Sequence, residues 1–127
     1  MRRTLREVPA RDWGAFCERV NQFEGGAVFS LETEDRNGAK QQLADKVPFD
    51  SMDFGKRDEC NDRFAIRSRG NGRTKYEVVE PIHVMLKEST ECGAGFQSVI
   101  IEAENGLTTL TFHPTIKMSW LENLELL

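Results

Sequence analysis

Reactive and metal-binding residues are scarce in this sequence, and so are long apolar runs. Cysteine occurs three times, at 17, 60 and 92, with no C-x-x-C pair and an odd count. That argues against a disulfide framework and fits a reducing cytoplasm. The two histidines, His83 and His113, lie in separate segments, so a zinc centre lacks four ligands at a workable spacing. No stretch approaches the ~18 apolar residues of a membrane-spanning helix. The basic start Met1-Arg2-Arg3 leads into no apolar segment, so no secretory signal is expected. G-x-S-x-G, the P-loop and H-E-x-x-H are missing. The expectation is a protein without a catalytic centre, a metal or a cofactor, and without a membrane partner.

What is present is the composition of one globular domain. The 127 residues carry 17 basic and 21 acidic side chains, a net charge of −4, and 39% are hydrophobic, eight of them Phe. At this size folding buries about two-thirds of the chain's surface, enough for a single core. Net acidity disfavours extended nucleic-acid binding unless the cations are segregated.

One helix is well marked. Trp13, Phe16, Cys17, Val20 and Phe23 recur at helical spacing, Pro9 suits a first turn, and Gly25-Gly26 supplies a stop. The helix is expected over residues 9–23, after an N-terminal arm of residues 1–8.

Residues 27–114 read as strands and turns. Phe29, Leu31 and Thr33 alternate with polar neighbours, as do Phe64, Ile66 and Ser68, the period of half-buried strands. Asn37-Gly38 and Gly70-Asn71-Gly72 are turn signals. A strand runs from Leu43 to Phe49, and the polar stretch from Asp50 to Asp62 reads as a loop. Pro81 inside the run Tyr76–Leu86 requires an edge, a bulge or a break. Asn105-Gly106 as a two-residue turn pairs Ala103 with Thr108, Ile101 with Leu110 and Val99 with Phe112, which makes one face apolar. Beyond Pro114, Ser119 and Glu122 form a capping box. Trp120, Leu121, Leu124 and Leu127 share a helical face, so residues 115–127 read as a docking segment. The expected fold is α+β: the N-terminal helix on a curved, mainly antiparallel sheet of five or six strands, with a short C-terminal helix. In element order this is similar to Sm-like small barrels.

Landmarks along most of the chain carry a further resemblance. They are Val8-Pro9-Ala10-Arg11-Asp12-Trp13-Gly14-Ala15-Phe16, the step Phe49-Asp50, the segment Glu80-Pro81-Ile82-His83-Val84 and the run from Val99 to Gly106. In this order they resemble a family of small bacterial proteins classed as a domain of unknown function. The resemblance implies a small soluble bacterial protein and carries over no catalytic residue. Residues 115–127 have no counterpart in it.

Four features are candidates for function. Arg67, Arg69, Arg73 and Lys75 flank the Gly70-Asn71-Gly72 turn, so four cations converge where phosphate or an acidic partner could be gripped; the bland reading is an edge kept from aggregating by charge. Asp50, Asp53, Asp58, Glu59 and Asp62 suit a basic partner, or simply a solvated loop, since their spacing is not that of a calcium loop. Cys92 sits among glycines but beside Glu91, which works against a reactive thiolate. Trp120, Leu121, Leu124 and Leu127 have the composition of a docking anchor; the alternative is that they fold back onto the chain's own sheet. Together these point to a non-enzymatic protein-interaction or oligomerisation module, most simply a homo-oligomer. An RNA-binding small barrel and an inhibitor or immunity protein that neutralises a basic partner are the alternatives.

Overall fold

The stripe of apolar residues forms the helix its spacing predicts. In this computed structural model, which describes residues 5–24, 27–56, 62–69, 74–88 and 95–117, a 3-10 turn over Ala10–Asp12 opens into α1, Trp13–Glu24. Pro9 precedes the turn at φ −59°, and its carbonyl accepts the Asp12 N–H at 2.9 Å. Trp13, Phe16, Cys17 and Val20 are buried along one side of α1.

The rest is sheet. The strands are β1 (Leu5–Val8), β2 (Val28–Asp35), β3 (Lys40–Lys56), β4 (Asp62–Ser68), β5 (Lys75–Val79), β6 (Pro81–Glu88), β7 (Gly95–Ala103) and β8 (Gly106–Lys117). They form one antiparallel sheet in the order β1-β6-β7-β8-β2-β3-β4-β5. This corrects the α+β expectation. The described residues are mostly sheet, with eight strands and not five or six, and among them there is a single short α-helix. The sheet is open: β1 and β5 end it, and among the described residues neither pairs with the other.

Two local causes add strands, and a third lengthens one. The arm is β1, whose Val8 lies opposite Val84 with no exposed surface; its carbonyl accepts the Trp13 indole N–H at 2.9 Å. The run containing Pro81 breaks in two at Glu80, which adopts φ 54° between β5 and β6. The polar stretch after Asp50 continues β3 as far as Lys56. A bulge between Phe49 and Ser51 turns Phe49, Met52 and then Phe54 to one side, which hides the two-residue period from a reading of the sequence.

β3 is also the joint of the sheet. Its first half pairs with β2 and its second half with β4. Pro48 sits at the handover; the Phe49 N–H donates to the Ala27 carbonyl at 2.8 Å, and the Pro48 carbonyl accepts the Arg69 N–H at 2.9 Å. Where β2 no longer covers β3, α1 takes its place. The Asn21 side-chain amide donates to the Met52 carbonyl at 2.8 Å, and its oxygen accepts the Met52 N–H at 2.7 Å. One side chain thus satisfies both backbone groups that a neighbouring strand would have paired.

The final hairpin keeps its predicted faces in a different register. Its turn is Glu104-Asn105; Ala103 pairs with Gly106, Ile101 with Thr108 and Val99 with Leu110. Each partner moves by two residues, so Val99, Ile101, Leu110 and Phe112 still face the core. β8 then runs past Pro114 to Lys117, so Thr115-Ile116-Lys117 is strand and not tail. No C-terminal helix is present among the described residues; Trp120, Leu121, Leu124 and Leu127 lie outside them.

Two aromatic groups anchor the core. Phe29, Phe49 and Phe112 join β2, β3 and β8. Trp13, Phe54 and Phe64 join α1, β3 and β4, with ring centroids 4.9–5.4 Å apart.

Candidate functional site

Three of the basic residues singled out from the sequence, Arg67, Arg69 and Lys75, lie on the outer side of the β3–β4–β5 part of the sheet. Phe64 and Ile66 of β4 turn inward, so Arg63, Ala65 and Arg67 turn outward. Arg67 lies opposite Lys75, as the hairpin reading requires, and Arg69 follows β4. Arg73 lies outside the described residues.

Each of the three described cations meets a carboxylate. The Arg67 guanidinium donates to Asp53 Oδ2. Arg69 Nη2 is 3.2 Å from Asp50 Oδ1, and Lys75 Nζ is 3.5 Å from Glu77 Oε1. Arg63 links the set, with Nε 3.3 Å from Glu77 Oε2 and Nη1 3.5 Å from Asp53 Oδ1. That Nη1 is buried and makes no directed hydrogen bond. Asp53 and Glu77 flank Ala65 on its two neighbouring strands, so the charges alternate in sign across the surface. The more exposed of these pairs, Arg67–Asp53 and Arg69–Asp50, are each worth about 0–1 kcal/mol. Their consequence is electrostatic: a phosphate group reaching these cations must displace carboxylates already in place. Two residues of the acidic stretch, Asp50 and Asp53, thus pair with two of the basic stretch, Arg69 and Arg67; Asp58 and Glu59 lie outside the described residues. Sequence reasoning missed Glu77, and it missed the partners of Asp50 and Asp53 because a stretch read as loop has no strand neighbours to assign.

A second group of acidic residues lies at the β5–β6 bend. Asp62, Glu80, Pro81, Ile82 and Glu104 line an open groove of about 550 Å³, and Ile82 is 48% exposed. Among the described residues no three His, Cys, Asp or Glu side chains are grouped to hold a metal ion. Cys17 is buried and its thiol is pushed up to about 12, first by burial and then by the Asp53 and Glu18 charges, so it is not a nucleophile at neutral pH. Cys60 and Cys92 lie outside the described residues. No helix among those residues is long and apolar enough to cross a membrane.

His83 faces outward on β6 and meets β1. Its Nδ1 lies 2.7 Å from Glu7 Oε2. That hydrogen bond raises the imidazole above its ordinary value; desolvation opposes it, and the Glu7 and Glu102 charges add smaller upward contributions. A histidine raised in the folded state contributes stability that is complete below about pH 6.5 and is lost as pH rises through the folded value. An NMR titration is therefore expected to place the His83 midpoint above that of a free histidine. In the Glu7→Gln variant the midpoint should fall back toward it; an unmoved midpoint would exclude Glu7 as the cause.

Comparison of the chain with protein-family models, with curated proteins and with solved structures finds no match.

Proposed function

We propose that this chain is a non-enzymatic interaction module that associates with a second copy of itself through the edges of its sheet. The observation that carries the reading is the open sheet: among the described residues, β1 and β5 each have a strand neighbour on one side only. An edge strand offers a row of backbone donors and acceptors to another chain. The pairing of Arg67, Arg69 and Lys75 with carboxylates speaks for this reading over the RNA-binding one, since an RNA site needs uncompensated cations. The free, inert Cys17 thiol fits a cytoplasmic setting. The landmark order from Val8 to Gly106 extends the reading to a small bacterial protein.

Sedimentation of the full chain and of a chain ending at Lys117, from micromolar to millimolar concentration, tests this. Both are expected to move from the mass of one chain toward that of two. A single-chain mass throughout contradicts the proposal. Association lost with residues 118–127 transfers the contact from the edges to Trp120, Leu121, Leu124 and Leu127.

A further inference from the structure

The two open edges are not equivalent. β1 is four residues long, and its Val8 carbonyl already accepts the Trp13 indole N–H. β5 is five residues long, and the direction of its backbone groups follows from the bonds that flank it. The Ser68 N–H donates to the Thr74 carbonyl at 2.9 Å, and the Glu80 N–H donates to the Asp62 carbonyl at 2.9 Å. Hydrogen-bonded and non-hydrogen-bonded pairs alternate along an antiparallel ladder. Counting inward from both bonds in the register Ile66–Tyr76 and Phe64–Val78, the even-numbered residues point their N–H and C=O groups at β4. Those of Lys75, Glu77 and Val79 point outward, and no described strand pairs with them.

We infer that β5 pairs antiparallel with β5 of a second copy about a two-fold axis through Tyr76, which sets Lys75 opposite Glu77 of the partner subunit. The inference rests on the self-association proposed above and names its contact. An axis normal to the sheet keeps inner faces with inner faces, so it must pass through a residue position. Through Glu77, it would oppose that carboxylate to the partner's Glu77. Through Val78, it would bring Lys75 to the partner's Pro81, which has no N–H to donate. Through Tyr76, both outward-facing residues beside the axis form hydrogen-bonded pairs with opposite charges across each. Tyr76 itself is held in place, its hydroxyl donating to the Leu43 carbonyl at 3.4 Å. A two-fold contact consumes the edge it uses, so pairing through β5 by itself closes at two copies. Edges this short bury less than a permanent interface needs, so the dimer forms at high concentration and dissociates on dilution.

Hydrogen exchange on the full chain, read residue by residue at low and high concentration, tests the contact. The Lys75 and Glu77 amides should exchange freely when dilute and slow with concentration, while Tyr76 and Val78 stay protected throughout. Lys75→Glu should weaken self-association by about tenfold or more, because it sets carboxylate against carboxylate. Adding Glu77→Lys to it should restore association. Glu77 also pairs with Lys75 and Arg63 of its own chain, which the charge variants disturb as well, so Lys75→Pro serves as a second variant. It removes an outward N–H at the first residue of β5, leaves the ladder to β4 intact, and should abolish association while unfolding remains cooperative. If mass doubles while the Lys75 and Glu77 amides exchange alike at all concentrations, or if Lys75→Glu leaves association unchanged, this contact is wrong and self-association through another surface stands. A single-chain mass throughout removes both.

Discussion

Replacing Phe49 by alanine is expected to remove about 3–5 kcal/mol of stability, a large share of the roughly 5–15 kcal/mol that holds a domain of this size. Phe49 is fully buried. Its ring meets Phe29 edge-on at 5.6 Å and Phe112 edge-on at 5.2 Å, the arrangement in which aromatic quadrupoles attract. The loss exceeds that of an ordinary core residue because of where Phe49 sits. It follows Pro48 at the point where β3 leaves β2 for β4, and its N–H is one of the bonds that fix the handover. The alanine variant leaves a cavity between β2, β3 and β8 and loosens the strand that positions Asp50 and Asp53. Urea unfolding followed by circular dichroism should show the midpoint fall with an unchanged slope. A loss below about 1 kcal/mol is what surface substitutions give, and would mean that Phe49 does not join the three strands.

How much of this was legible in the sequence depends on whether a local rule or a distant neighbour decides each element. The helix was legible because Trp13, Phe16, Cys17 and Val20 encode it through their own spacing, and the structure buries all four. The apolar face of the β7–β8 hairpin was legible for the same reason, since moving each partner by two residues preserves the facing of Val99, Ile101 and Leu110. The second half of β3 was not. Its bulge at Phe49–Ser51 breaks the alternation, and the carboxylates on its outer side look like a solvated loop until β4 is laid beside them. The candidate site divides along the same line. Arg67 and Lys75 come together through a short connection that the sequence announces with glycines. Asp50 and Asp53 reach Arg69 and Arg67 across 19 and 14 residues, through a pairing that no periodicity marks.

Gly106 separates two readings of one glycine. As the second residue of an Asn-Gly turn it would need only a left-handed backbone, which asparagine also tolerates. In the structure it follows the turn, opposite both Ala103 and Asp35, at φ 143°. A Cβ built there would lie 2.1 Å from the Glu34 carbonyl oxygen and 3.0 Å from Asp35 Cα. The approach is kept close from the neighbouring turn, where the Arg36 guanidinium donates to the Glu104 carbonyl. Any side chain must therefore both strain the backbone and push β2 away from β8. Gly106→Ala is expected to cost about 2–4 kcal/mol, combining backbone strain with overpacking, and to lower the thermal midpoint by roughly 8–16 °C at this chain length. Gly106→Asn should be at least as damaging, because asparagine's tolerance is for φ near +57° and not for φ far beyond it. Gly38 is the internal control. It has φ 85° with nothing within 4 Å of a built Cβ, so Gly38→Asn should cost much less than the same change at Gly106. Equal tolerance of asparagine at both positions would return Gly106 to the role of a turn residue and would remove the close packing of β2 against the start of β8.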